Sequence, residues 1–202
     1  MKKPKQKSYH HGNLYETLVK AGTSLLKDEG LPNFTLRETA RRAGVSHAAP
    51  KNHFASVEDL LYEIAARGFE QFVSELDREA DEIPSQSADD RLIAMGRAYV
   101  AFARANPQIY HLMFRQSQSF AKSEHLQKAA RAAWDQLETA VKAVIGPERA
   151  DAKERSAHVW ALVHGIASLI IDRRLPPPVD STAVIEQSLS TLPAAIRGLG
   201  AT

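Results

Sequence analysis

The segment from Thr35 to Ser46 brings together a helix start, a sharp turn and a second helix start. Thr35 and Glu38 have the spacing of a capping box, which begins a short helix. A small side chain at Ala40 allows two helices to approach closely, and Gly44 can adopt the left-handed conformation that ends the first of them. Ser46 is then placed to cap the next helix. These residue types in this order predict a helix-turn-helix, whose second helix enters the major groove of DNA.

The second helix of this motif is predicted to run from Ser46 to His53 and to expose small and polar side chains. We expect His47, Ala48 and Lys51 to lie nearest to base edges or adjacent phosphates. His53 is open to a second interpretation, as a packing residue at the helix end. The candidate DNA-binding residues are Thr35, Arg37, Ser46, His47, Ala48, Lys51, Asn52 and His53, and Gly44 is the structural turn.

Positive charge is concentrated around this motif, although the whole chain has a net charge of only +2. Residues 1–54 hold ten of the 26 Lys and Arg residues but only four of the 24 Asp and Glu residues. This asymmetry indicates a basic module that meets a polyanion, whereas a plain helical hairpin would leave it unexplained. Thr35, besides its capping role, and Arg37 are expected at phosphates. The lysines of the basic arm 1–8 are expected to follow the DNA backbone or to enter a minor groove; the alternative is that they only solubilise the chain.

Apolar residues recur at helical spacing almost everywhere, and no stretch alternates as a strand would. We therefore expect an all-α fold of about nine helices. Residues 1–56 form an N-terminal three-helix domain that contains the helix-turn-helix. A long helix beginning near Ser56, about 25 residues or roughly 37 Å in length, joins it to a C-terminal bundle for ligand binding and dimerisation within residues 57–202.

The C-terminal module contains most of the large side chains, which form either a simple core or the walls of a ligand cavity. The residues from Val159 to Ile171 are apolar around nearly the whole helix, so a partner subunit is expected to cover one face. The ligand-binding candidates are Tyr99, Phe102, Tyr110, Met113, Phe114, Trp160 and His164, although a lone histidine such as His164 is more often a core residue. The dimer-interface candidates are Ala161, Gly165, Leu169, Ile185, Leu189 and Leu192.

Several other classes of protein are disfavoured by the sequence. The chain has no cysteine, which excludes disulfide scaffolds and thiol chemistry and is consistent with the cytoplasm. The apolar run that ends at Ile171 is too short to span a membrane. No catalytic or metal-binding motif is present, so we expect no enzyme, no metal and no cofactor. The remaining alternative is a helical small-molecule-binding carrier or scaffold that does not bind DNA.

Residues 9–60 resemble the DNA-binding domain of TetR-type transcriptional regulators. In the C-terminal module, the run from Trp160 to Gly165 is similar to the W…HG motif of one TetR subgroup. The resemblance implies an all-α homodimer that binds a palindromic double-stranded DNA operator and usually represses transcription. It also implies that an unknown small-molecule effector enters the C-terminal domain and releases the DNA. The segments that carry the resemblance are Tyr9–Leu14, Thr35–Arg37 with Ala40, Gly44–Ser46, Ala48–Pro50, His53–Phe54 and Glu58–Leu60.

Three positions depart from the pattern of that family. Lys51 stands where an aromatic residue commonly lies on the DNA backbone, and His47 stands where proline is frequent. Val57 stands where a lysine often meets phosphate. Lys51 can neutralise a phosphate but cannot pack flat on the DNA backbone, and Val57 cannot make the phosphate contact of a lysine. The phosphate contacts are therefore expected to differ in part from those of the family.

Overall fold

The computed structural model describes residues 11–84, 87–115 and 123–199; the basic arm 1–8 lies outside the described residues. Within these ranges the chain forms α-helices and two short 3₁₀ helices and has no strand, which confirms the all-α prediction. Eight α-helices are present, against about nine expected. They are α1 (His11–Glu29), α2 (Leu36–Arg42), α3 (Val57–Glu82), α4 (Ala88–Ala105), α5 (Pro107–Met113), α6 (Glu124–Ile145), α7 (Ala152–Ile171) and α8 (Ser181–Gly198), with 3₁₀ helices at Leu31–Asn33 and Ala49–Asn52.

The long central helix α3 begins at the capping box that its sequence predicts. The Ser56 hydroxyl accepts a hydrogen bond from the Asp59 amide at 3.2 Å, and the Asp59 carboxylate accepts one from the Ser56 amide at 2.8 Å. Extended backbone at Ile83, followed by Pro84, ends the helix after 26 residues, or about 39 Å. α3 can therefore contact both ends of the molecule.

The C-terminal helices pack around α3 and share one apolar core with it. α4, α5 and α6 all lie against α3, and α7 and α8 complete the bundle. The core is continuous with the apolar face of α1. Gly68 of α3 is a point of close approach, because a Cβ atom there would lie 2.8 Å from the Ile109 side chain and 2.9 Å from Met113. This contact fixes α5 against the middle of α3.

The last helix continues past the proline within it. Pro193 lies inside α8 and is expected to bend or fray it, yet the helix continues to Gly198 with Pro193 buried. Burial of Leu192 and Ile196 on the same face holds the helix across the missing hydrogen bond. No helix of the described residues is long and apolar enough to cross a membrane.

Candidate DNA-reading surface and ligand cavity

The turn after α2 has the hydrogen bonds of a Schellman motif. The Gly44 amide donates to the Arg41 carbonyl at 3.2 Å, and the Val45 amide donates to the Ala40 carbonyl at 3.0 Å. Gly44 has φ 68°, a left-handed conformation that costs an L-residue about 1–2 kcal/mol. At the other end of α2, the Thr35 hydroxyl accepts from the Glu38 amide at 3.1 Å, as its sequence predicts. Both ends of α2 are thereby fixed by local chemistry.

The segment after this turn forms a shorter helix than expected. Instead of an α-helix from Ser46 to His53, only a 3₁₀ helix over Ala49–Asn52 is present, and its N-cap residue is Ala48, which makes no side-chain hydrogen bond to the helix, rather than Ser46. Pro50 is the reason, because it lacks the amide hydrogen that an α-helical turn would use. Pro50 itself is buried against the core, which fixes the orientation of the segment.

The polar side chains of this segment point away from the core. Ser46, His47, Ala48, Lys51 and Asn52 are all exposed. We call these five residues the reading face. They follow one another on one short stretch of backbone, so the structure brings these five candidates together.

The other DNA-binding candidates lie on either side of the reading face. Thr35 and Arg37 are exposed at the start of α2. His53 is partly buried, with its ring 5.9 Å from that of Tyr15, and its Nε2 is buried without a hydrogen-bond partner among the described residues. This placement favours the packing interpretation of His53 over a DNA contact.

Two arginines of α2 are occupied by ion pairs within the protein. Arg41 binds Glu38 on the same helix, and Arg42 binds Asp28 and Glu29 at the end of α1. The pairs of Arg42 hold α2 against α1. The positive charge that remains near the reading face therefore comes from Lys51 and Arg37, which form no ion pair with another described residue.

The C-terminal bundle contains a cavity of about 700 Å³ that is open to the surface on one side. A volume of this size is in the range of small-molecule sites. Its walls come from α3, α4, α6, α7, α8 and the end of α5. The lining residues are Phe69, Phe72, Leu76, Leu92, Met95, Gly96, Tyr99, Met113, Phe114, Arg115, Ala130, Ala133, Trp134, Leu137, Val159, Trp160, Val163 and Leu192.

The structure separates the ligand-binding candidates into two groups. Tyr99, Met113, Phe114 and Trp160 line the cavity. Phe102 does not, because its ring is fully buried against Phe72, with ring centroids 5.2 Å apart. The assignment of Phe102 to the ligand site is therefore corrected to a core residue: its side chain lies behind Phe72, where periodicity along one helix could not place it.

Tyr110 and His164 lie just behind the cavity wall and hydrogen bond to Tyr99. The Nδ1 atom of His164 lies 2.9 Å from the Tyr99 hydroxyl oxygen and 2.7 Å from that of Tyr110. Burial lowers the pKa of His164, so the ring is neutral and Nδ1 can accept from a tyrosine hydroxyl. Burial also raises the pKa of both tyrosines, which keeps their hydroxyls protonated. The cluster is a neutral hydrogen-bonded unit beside the cavity.

A charged network joins the N-terminal helices to the wall of the cavity. Arg67 of α3 binds Glu16 of α1 at 2.6 Å and Glu63 at 2.7 Å. His125, at the start of α6, places Nδ1 2.8 Å from Glu63 and Nε2 2.9 Å from Glu70. The hydrogen bonds to Glu70 and Glu63 raise the pKa of His125. This network was not predicted, because its members are far apart in the sequence and no local pattern marks them.

The same network reaches the flank of the reading face through Tyr15. The Arg67 guanidinium lies 5.9 Å from the centre of the Tyr15 ring, which stacks on Phe54 at 5.1 Å. Burial and the neighbouring Glu63 raise the pKa of Tyr15 to about 12. Since Phe54 closely follows the 3₁₀ helix, a path of contacts runs from α6 to the reading segment.

One face of α7 is unpaired among the described residues. Ala157, Ala161 and Leu169 are exposed at four- and eight-residue intervals, and a Cβ atom added at Gly165 would meet nothing within 4 Å. Leu169 remains 42% exposed on this face. This face contains three of the dimer-interface candidates.

The other three interface candidates lie inside the protomer. Ile185, Leu189 and Leu192 are buried in the bundle core, with exposures of 7%, 0% and 1%. The side chain of Leu189 fills the space beside Gly96 of α4. Their assignment to a dimer surface is corrected: the apolar stripe of α8 faces its own subunit, because α4 lies on that side of the helix.

The C-terminal half of the chain matches a known family. Residues 92–192, from the second turn of α4 into α8, match the family model described as Tetracyclin repressor-like, C-terminal domain. The chain belongs to the TetR family. The chain is also similar to a solved structure, that of a protein of unknown function from Rhodococcus sp. RHA1, with a TM-score of 0.81 and 29% identity, covering 94% of this chain and 98% of the other.

Curated relatives of this TetR-family protein are transcriptional regulators. An HTH-type regulator of Mycobacterium tuberculosis is 28% identical over 97 residues, which are 48% of this chain and 42% of that protein. An uncharacterized HTH-type regulator of Bacillus subtilis is 25% identical over 99 residues, which are 49% of this chain and 50% of the other. The chain thus matches half or less of the length of these relatives. Both relatives are named as regulators of transcription, not as enzymes.

A more distant structure shares the fold of this TetR-family protein. The TetR family transcriptional regulator PfmR from Thermus thermophilus has a TM-score of 0.61 at 18% identity, covering 90% of this chain and 98% of that one. At this level of identity the similarity shows the fold alone.

Proposed function

We propose that this protein is a ligand-responsive repressor that binds a palindromic DNA operator as a homodimer in the cytoplasm. The observation that carries the proposal is the exposed reading face, Ser46–Ala48 with Lys51 and Asn52, held by the Gly44 turn in a chain that belongs to a regulator family. The cavity in the C-terminal bundle supports a ligand response. Membership of the W…HG subgroup stays a prediction from Trp160, His164 and Gly165.

The chemistry of the reading face suits a DNA groove. Its side chains are short or polar, so the backbone can approach base edges, while Lys51 can neutralise a phosphate. Arg37 and the N-terminus of α2 add a second site for phosphate. The division into a reading domain, residues 1–56, and a regulatory domain, residues 57–202, belongs to this proposal.

The homodimer is proposed to form through the outer face of α7. Small side chains at Ala157, Ala161 and Gly165 allow a second helix to approach closely, and Leu169 adds apolar area. Two-fold symmetry would then present two reading faces to one side of the DNA. A palindrome read in successive major grooves needs them about 34–36 Å apart.

The ligand response is proposed to pass through α3. This helix lines the cavity with Phe69, Phe72 and Leu76 and binds α1 through Arg67. α3 would have two positions, and a ligand that binds the protein more tightly in one of them would favour that position. This would change the orientation of the reading face in each subunit. A hundredfold loss of DNA affinity requires a difference of about 2.7 kcal/mol between the two positions.

Selection of bound duplexes from a random pool, followed by titration at several salt concentrations, tests the proposal. We expect selected sites to be palindromic and affinity to fall steeply with salt. Lys51→Ala should lower affinity and reduce the salt slope by about one unit, because one phosphate contact is lost. Lys128→Ala, which removes an exposed lysine of α6 far from the reading face in the sequence, is the matched control. Absent or salt-insensitive binding would favour the carrier alternative instead.

The dimer is tested separately by light scattering after size-exclusion chromatography. Ala161→Glu should convert the dimer into a helical monomer that binds half-sites weakly, because two carboxylates would meet across the two-fold axis. Ala101→Glu, at an exposed position of α4, introduces the same charge elsewhere and should leave the dimer intact. If the wild-type protein is monomeric, or if both variants behave alike, the α7 interface is wrong.

A further inference from the structure

The walls of the cavity have an unequal distribution of charge. Among the lining residues the only charged side chain is Arg115, which is exposed, and no carboxylate lines the cavity within the described part of the chain. Arg115 takes part in none of the ion pairs between described residues. A cationic ligand would find no counter-charge here, whereas an anionic group would meet one guanidinium at the rim.

The cavity also has two chemically different ends. Phe69 of α3 packs on Phe114, with ring centroids 5.5 Å apart, and Phe114 directly precedes Arg115. Leu76 lies two turns further along α3, about 10 Å away, where Leu92 near the start of α4 also lines the wall. The first end is therefore aromatic with one cation, and the second end is purely aliphatic.

The remaining polar groups of the wall do not create a second charged site. The Tyr99 hydroxyl already lies within hydrogen-bond distance of Tyr110 and His164. The pKa of His164 is lowered by burial, so this cluster carries no charge near neutral pH. It can contribute one neutral hydrogen bond, but the electrostatic preference of the cavity is set at Arg115.

We propose that the effector is a hydrophobic carboxylic acid, bound with its carboxylate at Arg115 and its apolar tail between Phe69 and the leucines at the far end. This inference rests on the proposed function, because it assumes that the cavity is the effector site. An arginine can bind a carboxylate with two parallel hydrogen bonds, which a neutral alcohol or an amine cannot reproduce. The apolar walls contribute affinity for the tail, and the guanidinium makes the site selective for a carboxylate head group.

Intrinsic fluorescence offers a direct readout of binding. The chain has two tryptophans, and both Trp134 and Trp160 line the cavity, with ring centroids 6.4 Å apart. The full-length protein would be titrated with dodecanoate, dodecanol and dodecylamine at neutral pH, below their aggregation concentrations. We expect dodecanoate to change the emission at concentrations about tenfold lower than dodecanol, a difference of about 1.4 kcal/mol, and dodecylamine to bind most weakly.

Two variants assign the preference to this site. Arg115→Gln should weaken dodecanoate binding about tenfold and leave dodecanol unchanged, so that the two ligands become equal. Arg131→Gln removes an exposed arginine of α6 that does not line the cavity, and it should preserve the wild-type order. A third variant, Ala133→Phe, fills the cavity and should abolish binding of all three ligands.

The outcomes separate this inference from the proposed function. Equal affinity for acid and alcohol in the wild-type protein, or an acid preference that survives Arg115→Gln, overturns the inference while leaving the cavity as a ligand site. If binding persists in Ala133→Phe, or if none of the three ligands gives a response, the cavity is not the ligand site and the inference is wrong as well. Release of a selected DNA duplex by dodecanoate, and not by dodecylamine, would support both.

Discussion

The reading region and the cavity region are stabilised by different kinds of contact. Around the reading face, α1 is joined to α2 by the ion pairs of Arg42 and to α3 by the ion pair of Arg67 with Glu16. Around the cavity, aromatic rings pack edge to face, as Phe72 does on Tyr99 with centroids 5.0 Å apart. Partly exposed ion pairs are weak and are screened by salt, whereas buried rings are costly to displace. Both regions share the apolar core, but the ion pairs that join α1 to α2 and α3 weaken as salt is added, whereas the ring contacts of the cavity do not.

α3 belongs to both regions, and its two halves differ accordingly. The half near Glu63 and Arg67 carries charged partners from α1 and α6, while the half from Phe69 to Leu76 lines the apolar cavity. In the proposed mechanism, a ligand would act on the cavity half, and the charged half would transmit the change to α1. Each of the following predictions tests one side of this comparison.

Phe72→Ala should have the largest effect, because it removes a buried ring from the cavity half of α3. We expect the free energy of unfolding to fall by about 3–5 kcal/mol, with little dependence on salt. Urea denaturation at low and high ionic strength measures both quantities. Arg67→Ala is the counterpart in the charged half and should cost less, with a loss that shrinks as salt is added. A salt-dependent loss in Phe72→Ala, or a larger loss in Arg67→Ala, would contradict the comparison.

Gly44→Ala should have an intermediate effect, confined to the reading region. No atom lies within 4 Å of the added Cβ atom, so the cost is that of the left-handed backbone, about 1–2 kcal/mol. DNA affinity should fall as well, because the turn orients the reading face. Gly198→Ala is the matched control: its surroundings are equally open, but its backbone is helical, so the protein should become no less stable. Equal losses in both variants would show that backbone conformation is not the cause.

His125→Gln should have the smallest effect, and one that depends on pH. Because Glu70 and Glu63 raise the pKa of His125 in the folded protein, protonation stabilises the fold. That contribution is complete below the unfolded pKa of about 6.5 and is lost as the pH rises through the higher folded pKa. The difference in unfolding free energy between wild type and variant should therefore shrink from pH 6 to pH 8. A difference that is constant over this range would show that His125 does not couple α6 to α3 through its charge.

Acidification tests the partner of His125. Burial raises the pKa of Glu63, but hydrogen bonds from Arg67, His125 and Tyr15 outweigh it, so the net shift is downward. The stabilisation by ionised Glu63 is therefore present above its unfolded pKa and is lost as the pH falls through the folded value. Glu63→Gln should remove this acid-sensitive contribution to the free energy of unfolding. In a titration of unfolding free energy against pH, the wild-type protein should lose this contribution on acidification, whereas the variant should not.

Local sequence patterns predicted the ends of helices well. The Thr35 cap, the Gly44 turn and the Ser56 capping box need only neighbouring residues, and each is present. The 3₁₀ form of the reading segment is the exception, because the sequence shows Pro50 but not whether the helix around it continues. Which helices meet is beyond such patterns: Ile185, Leu189 and Leu192 share a face as predicted, but α4 covers that face.

The amino-acid sequence alone determined that the chain is helical, where its main turns fall and which short segment exposes small and polar groups. Those properties depend on backbone preferences and hydrogen bonds over three to five residues. The tertiary structure determined which charged side chains form ion pairs within the described residues, as Arg42 does and Lys51 does not, and which aromatic rings surround the cavity. It also joined Glu63 to His125, since contacts between distant residues arise only when the packing of whole helices fixes their separation.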